Sequence, residues 1–412
     1  MQTIGIISRR NPFAKDSWSG TIASISEVLS NEYRLVWIPA KQSWLSLIAG
    51  KGLTAVFRFA GMNFSRYHTK MCARSSARYI RRFTESSEGI DVLLAPAGAV
   101  YIAFLKTSIP IIYLSDATFE LMVDYYSEFS KLPEFNKQAG NLIERFALKS
   151  AAHVVFSSNW AKSSAQNHYA VDPAKLSVIR FGPNTDYVKI SEVSTRQPIN
   201  SRDSLNLLFL GVDWKRKGGE LALEAHRRLR DAYGVNSVLR IVGCSPDIEP
   251  DPSVEVVGFL KKSDPTEHDR FRRILESSHV MLLPTQAECA GIAFVEAIAA
   301  GIPVVTCDTG GVSDYVLHGR TGLCLPLDSG PTEFAEAILS ITSTDREYER
   351  FCSECEKYHS DTLNWGFWLS KFNSVVASVR ACTALAELNY PPPEAASTSS
   401  TNGSQHNTIR PR

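Results

Sequence analysis

Twelve short apolar segments, each followed by residues with the apolar spacing of a helix, constrain this fold more than any other feature. In the first half of the chain they are Ile4–Ser8, Leu35–Pro39, Val92–Ala95, Ile109–Leu114, Val154–Ser157 and Ser177–Phe181. In the second half they are Leu205–Leu210, Leu239–Val242, Val254–Phe259, Val280–Pro284, Val304–Cys307 and Leu323–Pro326. Continuous apolar strands alternating with helices are typical of parallel sheets covered on both faces. Because the set occurs twice in 412 residues, we predict two doubly wound α/β domains.

The polar stretch between Ile190 and Ser204 shows no apolar period and is predicted to separate the domains, at 1–190 and 204–360. Residues 362–381 are rich in Trp and Phe and predict a helix that packs back on the first domain. Residues 389–412, with three consecutive prolines followed by small polar residues, are expected to be a disordered tail.

Charge and cysteine content exclude several protein classes. The net charge is +1, which argues against a nucleic-acid partner, although residues 1–200 carry 23 basic and 15 acidic side chains. Eight scattered cysteines in a chain of this length do not form a disulfide framework. No stretch approaches the ~18 apolar residues that span a bilayer. We therefore expect a cytoplasmic protein, with peripheral contact to the inner face of the membrane left open.

A basic periodicity in the first half bears on that contact. Cations recur every four residues, at Arg66, Lys70, Arg74, Arg78 and Arg82, which on a helix forms one basic face. The face is predicted either to meet an anionic membrane surface or simply to face solvent.

Residues 282–305 form the most informative segment. A strand ends at Pro284, a turn contains Glu288 and Gly291, and the following helix contains Glu296. A helix that begins near Gly291 points unpaired backbone amides at the carboxyl edge of the sheet, where they favour an anion. The alternative is structural, with Glu288 capping the helix and Glu296 pairing with a lysine.

A second segment places cations at the end of another strand. Lys215, Arg216 and Lys217 follow the strand that ends at Gly211 and precede a helix that starts near Gly218. Lysine supplies a point charge and arginine a bidentate fork, both suited to a pyrophosphate. A solvated basic turn is the alternative interpretation.

Together these segments resemble the nucleotide-sugar domain of retaining glycosyltransferases of the GT-B fold, family 4 (glycosyl transferases group 1). The motifs that resemble the family are Glu288 and Glu296 at Glu-x7-Glu spacing, Gly301-Ile-Pro, Asp213-Trp-Lys-Arg-Lys-Gly-Gly, Val257-Gly-Phe-Leu, Gly310-Gly-Val-Ser-Asp and Gly319-Arg-Thr-Gly-Leu. The resemblance is strong over about 205–345 and looser in the first domain. It implies two Rossmann-like domains that face a common cleft.

By resemblance, Glu288 binds hydroxyls of the donor sugar, Glu296 binds the ribose, and Lys217 with Arg216 neutralises the diphosphate. The resemblance also implies that the loop after the strand of Val257-Gly-Phe-Leu holds the nucleotide base, with Phe259 of that motif among the donor-binding residues. Backbone amides would hold phosphate and sugar at Ala290, Gly291, Ile292 and Ala293. The family usually has arginine directly after the strand-ending glycine, where this chain has Val212, and Arg216 is expected to substitute for it from within the loop.

Two candidates belong to the first domain. Asp16-Ser-Trp-Ser-Gly-Thr follows the first strand, where Gly20 would allow the backbone to approach the donor phosphate, and a serine N-cap is the alternative. Asp116 ends another strand at a place where many relatives have a histidine or acidic residue beside the reacting sugar. We therefore expect Asp116 to be catalytic together with Glu288 and Lys217, or else to cap a helix.

The resemblance implies transfer of a glycosyl group from a UDP- or GDP-sugar to a hydroxyl acceptor, with retention of configuration. It places the enzyme in polysaccharide or glycoconjugate biosynthesis. No Asp-x-Asp triplet occurs and Cys352-Ser-Glu-Cys355 has no partner pair at zinc spacing, so we predict no metal and no cofactor beyond the donor. The alternatives are a nucleotide-sugar 2-epimerase of the same fold and a non-catalytic nucleotide-sugar-binding partner subunit.

Overall fold

The structure is a computed structural model that describes residues 1–14, 18–87, 89–185 and 204–389. Asp16 and the expected linker and tail lie outside these residues, apart from Ser204 and Asn389 at their edges. The described chain has two parallel six-stranded sheets flanked by helices, which confirms the predicted pair of doubly wound α/β domains.

The first sheet has the strand order β2-β1-β3-β4-β5-β6. Its strands are β1 Thr3–Ser8, β2 Arg34–Pro39, β3 Val92–Pro96, β4 Ile111–Ser115, β5 His153–Phe156 and β6 Leu176–Val178. Its helices are α1 Thr21–Ser30, α2 Trp44–Phe59, α3 Lys70–Glu85, α4 Ala99–Ile102, α5 Phe119–Met122, α6 Glu134–Ser150 and α7 Asn159–Tyr169. All six predicted strands are present, although β6 ends at Val178, three residues earlier than expected.

The second sheet has the order β12-β11-β10-β7-β8-β9. Its strands are β7 Leu205–Leu210, β8 Ser237–Val242, β9 Val254–Gly258, β10 Val280–Leu283, β11 Val304–Cys307 and β12 Gly322–Leu325. The helices are α8 Gly219–Asp231, α9 Pro265–Ser277, α10 Ile292–Ala299, α11 Pro331–Ile341, α12 Asp345–Asp361 and α13 Trp365–Asn389. Strands β8 and β9 lie on one side of β7, whereas β10, β11 and β12 lie on the other. Open α/β sheets form ligand crevices where the strand order switches sides in this way, here between β7 and β10.

Burial explains the continuous apolar strands. Every residue of β1, β3, β4, β10 and β11 is buried, because helices cover both faces of each sheet. Side chains alternate along β1, so that Ile4 and Ile6 face a core shared with the second domain, while Ile7 faces the opposite core.

Helix α13 connects the two domains. Trp368 and Phe372 are fully buried and stack with ring centroids 4.7 Å apart. The Tyr33 hydroxyl, just after α1, donates to Asn373 Oδ1 at 2.7 Å, and Asn373 Nδ2 donates to Glu32 at 2.7 Å. The aromatic helix of the second half of the chain therefore packs on α1 of the first domain.

The basic periodicity is only partly helical. Helix α3 begins at Lys70, because Thr69 is the N-cap and its hydroxyl accepts from the Cys72 amide at 3.3 Å. Lys70, Arg74, Arg78 and Arg82 are exposed on the helix, as predicted. Including Arg66 in that face was wrong, since it precedes the cap and donates to the Tyr67 hydroxyl at 2.7 Å.

Candidate functional site

The carboxyl ends of the strands of both sheets meet at one cleft of about 330 Å³. From the second domain it is lined by residues that follow β7, β8, β9 and β10, and from the first by residues that follow β1, β4 and β6. Of the residues predicted from sequence, the lining includes Asp116, Arg216, Lys217, Phe259, Glu288, Ala290, Gly291, Ile292, Ala293 and Glu296. Gly20 does not line it, but its neighbour Thr21 does, and Gly20 has the left-handed φ of 87° at the N-terminus of α1.

Helix α10 supplies the expected anion-binding amides. Gly291 is its N-cap, with φ 65°, and the helix runs for eight residues into the buried interior. Among the described hydrogen bonds, none engages the backbone N–H of Ile292 or Ala293. Since the first amides of a helix have no partner within it, these two groups are available to a ligand in the cleft.

Glu288 has the structural role considered as an alternative, because one carboxylate oxygen accepts from the Gly291 amide at 3.2 Å. Its other oxygen pairs with the Lys217 ammonium and lies 3.7 Å from Arg216 Nη1. Burial alone would raise the pKa of Glu288, but the two cations outweigh burial and hold it below its usual range. The carboxylate is therefore ionised and faces the cleft.

Gly211, which directly follows β7, fixes the position of the Lys217 side chain. A Cβ on Gly211 would come within 2.8 Å of Lys217 Cγ, so the lysine stem lies directly against this glycine. Gly218, with φ 72°, begins the turn into α8, and a Cβ there would lie 2.0 Å from the Pro284 carbonyl. The basic loop is thus packed tightly against the end of β10, and Lys217 is only 6% exposed.

The Arg216 guanidinium also approaches the Glu288 carboxylate. Its Nη1 donates to the Ala287 carbonyl at 2.8 Å, and its guanidinium lies 5.6 Å from the ring centroid of Tyr126 in the first domain. Val212, at the position where the resemblance leads one to expect arginine, lines the cleft and is 67% exposed. Arg216 and Lys217 therefore both approach Glu288, and their charges lie side by side.

Glu296 also has the pairing considered as an alternative, and sequence reasoning missed its partners. Its Oε1 pairs with the Lys262 ammonium and accepts from the Thr185 hydroxyl of the first domain at 2.8 Å. Lys262 follows β9 at the same sheet edge, so the rule that identified Arg216 and Lys217 would have found it.

Asp116 lies at the end of β4, and the structure does not give it the helix-capping role considered above. Its Oδ2 accepts from Trp18 Nε1 at 3.1 Å, whereas the N-cap of α5 is Thr118. Burial raises the pKa of Asp116 to about 6, partly opposed by the Trp18 hydrogen bond and reinforced by the charge of Glu288. A carboxyl group in the cleft that titrates near pH 6 is suited to accept or release a proton.

Several contacts hold the domains together around the cleft. The Tyr125 hydroxyl donates to the Glu288 carbonyl at 3.2 Å and accepts from the Glu288 amide at 2.8 Å. Asp314 accepts from the Asn159 amide at 2.7 Å and pairs with Arg180 at 3.0 Å. Residues from both domains therefore position the loop that contains Glu288.

Among the residues that the structure describes, no group of three or more His, Cys, Asp or Glu side chains is arranged to hold a metal ion. Within this part of the chain, no helix is long and apolar enough to cross a membrane.

Comparison with known proteins extends this description. Residues 204–344 match the family described as "Glycosyl transferases group 1". Alpha-maltose-1-phosphate synthase of Mycolicibacterium smegmatis is 28% identical over 224 residues, which cover 49% of this chain and 56% of that protein. The chain spans 54% to 66% of the length of three curated relatives that it matches.

Solved structures show the same fold over nearly the whole chain. Sucrose-phosphate synthase from Thermosynechococcus elongatus superposes with a TM-score of 0.67 at 16% identity, covering 93% of this chain and all of that one. Anabaena Alr3699/HepE, solved in complex with UDP and glucose, superposes with a TM-score of 0.59 at 13% identity, covering 94% of this chain and all of that one.

Proposed function

We propose that this chain, whose residues 204–344 match the glycosyl transferases group 1 family and which has the GT-B fold, transfers a sugar from a nucleotide diphosphate sugar to an acceptor hydroxyl. The observation that carries the proposal is the cleft between the sheets. Three cations, two unpaired helix amides and three carboxylates, contributed by both domains, converge there.

The diphosphate of the donor is proposed to bind between the basic loop and α10. Lys217 and Arg216 would face the phosphate oxygens from one side, and the amides of Ile292 and Ala293 from the other. Charge develops on the diphosphate as its bond to the sugar breaks, so fixed cations and amides stabilise the transition state more than the ground state. The two cations converge on one point, which supports Arg216 as the substitute for the arginine that Val212 replaces.

The hydroxyl groups of the donor are proposed to bind the two glutamates. Glu288 would accept from the transferred sugar and Glu296 from the ribose, with the base near Phe259. Both carboxylates already have charged partners, Lys217 and Lys262, so a hydroxyl adds a hydrogen bond to an acceptor that is held in position. We infer that Lys262 is a further donor-site residue, because it lines the cleft beside Glu296.

In the proposed reaction the bond between the anomeric carbon and the diphosphate oxygen breaks, and the acceptor oxygen bonds to that carbon. The electron pair stays on the diphosphate, which also receives the acceptor proton. We propose retention of configuration and no metal requirement, on the strength of the family motifs. Asp116, on the first-domain side, would position the acceptor or sugar hydroxyl through a hydrogen bond.

The test is donor binding followed by transfer. Purified protein without added metal is screened against UDP-, GDP- and ADP-sugars by thermal shift, alongside Glu296→Gln and the exposed control Glu224→Gln. At a hundredfold excess over its dissociation constant, a ligand adds about 2.7 kcal/mol to the stability. We expect one class of donor to stabilise the wild type and the control, and to stabilise Glu296→Gln much less.

Turnover with that donor then separates the possible functions. Release of the nucleotide diphosphate together with a sugar-labelled acceptor supports the transferase, whereas a changed sugar with no labelled acceptor identifies an epimerase. Tight donor binding without any turnover identifies a partner subunit. Failure of every nucleotide sugar to stabilise the protein would refute the proposed donor site.

A further inference from the structure

Helix α2 is apolar on the side that faces away from the protein. Its exposed side chains include Trp44 at 67%, Leu45 at 59%, Ile48 at 59%, Val56 at 64% and Phe59 at 98%. Their spacing places them on one face of a helix, and a face of this kind in a globular protein normally packs on the core. An apolar patch of this size, rather than scattered single residues, marks an interaction surface.

Contacts on the opposite face fix the orientation of α2. Ser46 and Gly50 are buried there, and a Cβ on Gly50 would come within 3.1 Å of Arg66 Cβ, so the helix lies close against the segment before α3. Phe57 stacks on Phe64 at 5.4 Å and contacts Phe135 at 5.7 Å. Because small residues and one aromatic anchor form the inner face, the five large apolar side chains are presented outward.

The segment that contains α2 and α3 is strongly basic. Residues 34–84 contain no Asp or Glu and ten basic residues: Arg34, Lys41, Lys51, Arg58, Arg66, Lys70, Arg74, Arg78, Arg81 and Arg82. Helix α3 is joined to α2 at its start, since the amide of the N-cap Ser43 donates to Ser75 Oγ at 2.7 Å. The exposed face of α3 therefore adds cations next to the apolar residues of α2.

We propose that α2 and α3 together form a docking surface for an anionic lipid bilayer, with α2 lying in the plane of the interface. A helix with large apolar residues on one face and basic residues beside it is the combination that binds anionic membrane surfaces. The apolar side chains insert between the headgroups, and the cations meet the lipid phosphates.

Charge excludes the other occupants that the chain itself offers. A symmetric dimer through this face would place two clusters of cations against each other, and the one acidic residue of α2 and α3, Glu85, already pairs with Arg81 at 3.4 Å. The C-terminal residues 390–412 contain two Arg and only one Glu, so this segment is not an acidic partner for the basic surface. The surface lies outside the donor cleft, so the proposal does not depend on the sugar-transfer chemistry.

Vesicle co-sedimentation of the full chain tests the proposal, with vesicles of phosphatidylcholine alone and of phosphatidylcholine mixed with phosphatidylglycerol. We expect the wild type to bind the mixed vesicles and to bind neutral vesicles much more weakly. Arg74→Gln/Arg78→Gln should lower partitioning to the mixed vesicles about thirtyfold, since each cation near such a surface changes partitioning about fivefold.

The apolar contribution is tested with Ile48→Ser/Val56→Ser/Phe59→Ser, which should lower partitioning about fiftyfold or more. Leu327→Ser, which alters a side chain that is 47% exposed in the second domain, is the matched control and should bind as the wild type does. Circular dichroism and the nucleotide thermal shift verify that each variant is folded.

Three results would overturn the proposal. The first is absence of binding to the mixed vesicles, and the second is equal binding by the wild type and the triple serine variant. The third is a dimer in light scattering that the triple variant dissociates, without vesicle binding, which would assign the surface to a second copy of the chain.

Discussion

Replacing Lys217 with methionine should leave the Glu288 carboxylate buried and short of a partner. The two side chains are 6% and 9% exposed and form a direct ion pair, and methionine keeps the apolar stem that packs on Gly211. Removing one partner from a buried pair costs about 3–5 kcal/mol. Arg216 Nη1, 3.7 Å from the remaining carboxylate, offsets part of that loss, so we expect about 3 kcal/mol at pH 7.

The dependence on pH distinguishes this cause from lost packing. In the wild type, the lowered pKa of Glu288 means that its carboxylate stabilises the fold above its unfolded pKa. This stabilisation is lost as the pH falls through the folded pKa. Without the ammonium of Lys217, the pKa of Glu288 rises, and the variant gains less stability as the carboxylate ionises. The difference in stability between wild type and variant should therefore widen from about pH 4 to pH 7.

Urea unfolding followed by circular dichroism at several pH values measures the effect. The exposed neighbour Lys215→Met removes the same charge and should cost less than about 0.5 kcal/mol. The double variant Lys217→Met/Glu288→Gln should recover at least about 1 kcal/mol of the loss. An equal cost for Lys217→Met and Lys215→Met, or a cost that stays constant with pH, would refute the argument from the buried pair.

Three further predictions concern the cleft and its supports. Asp116→Asn should stabilise the fold at pH 7 by about 1–3 kcal/mol, measured by thermal unfolding. Because the folded pKa of Asp116 is raised to about 6, ionisation of this carboxyl destabilises the wild-type fold as the pH rises from about 4 to 6, and asparagine removes that loss. It should also lower transfer by about 100-fold or more and remove an acid limb near pH 6 from the rate profile. Gly218→Ala should cost several times more stability in urea than Gly234→Ala, because both have a left-handed φ but only the first Cβ meets backbone, at 2.0 Å from Pro284 O. Gly234→Ala itself should cost about 1 kcal/mol. Asp314→Ala, which removes the carboxylate that pairs with Arg180 across the domains, should weaken the contact between the domains and raise the radius of gyration in small-angle scattering.

Sequence alone determined the architecture, because burial of a parallel sheet on both faces leaves a pattern that can be read locally. All twelve predicted strands are present, and the loops after them supply the cleft residues, since parallel strands must end at the same edge. Glu288, Glu296 and Lys217 could be chosen without coordinates because each lies within a few residues of such a strand end or helix start. For the same reason Lys262, which lies four residues beyond the end of β9 at Gly258, could have been chosen as well.

Which side chains contact one another across the two domains can be seen in the tertiary structure alone. Thr185 and Glu296 are 111 residues apart, and Tyr125 and Glu288 are 163 apart, so no local pattern records these hydrogen bonds between domains. The pKa of Asp116 near 6 likewise depends on burial by residues distant in sequence. The outward face of α2 was hidden for a related reason: apolar residues at helical spacing predict a buried face, and only packing shows that Ser46 and Gly50 face inward instead. Local sequence sets the periodicity of an element, whereas long-range packing sets which of its faces meets water, membrane or a partner.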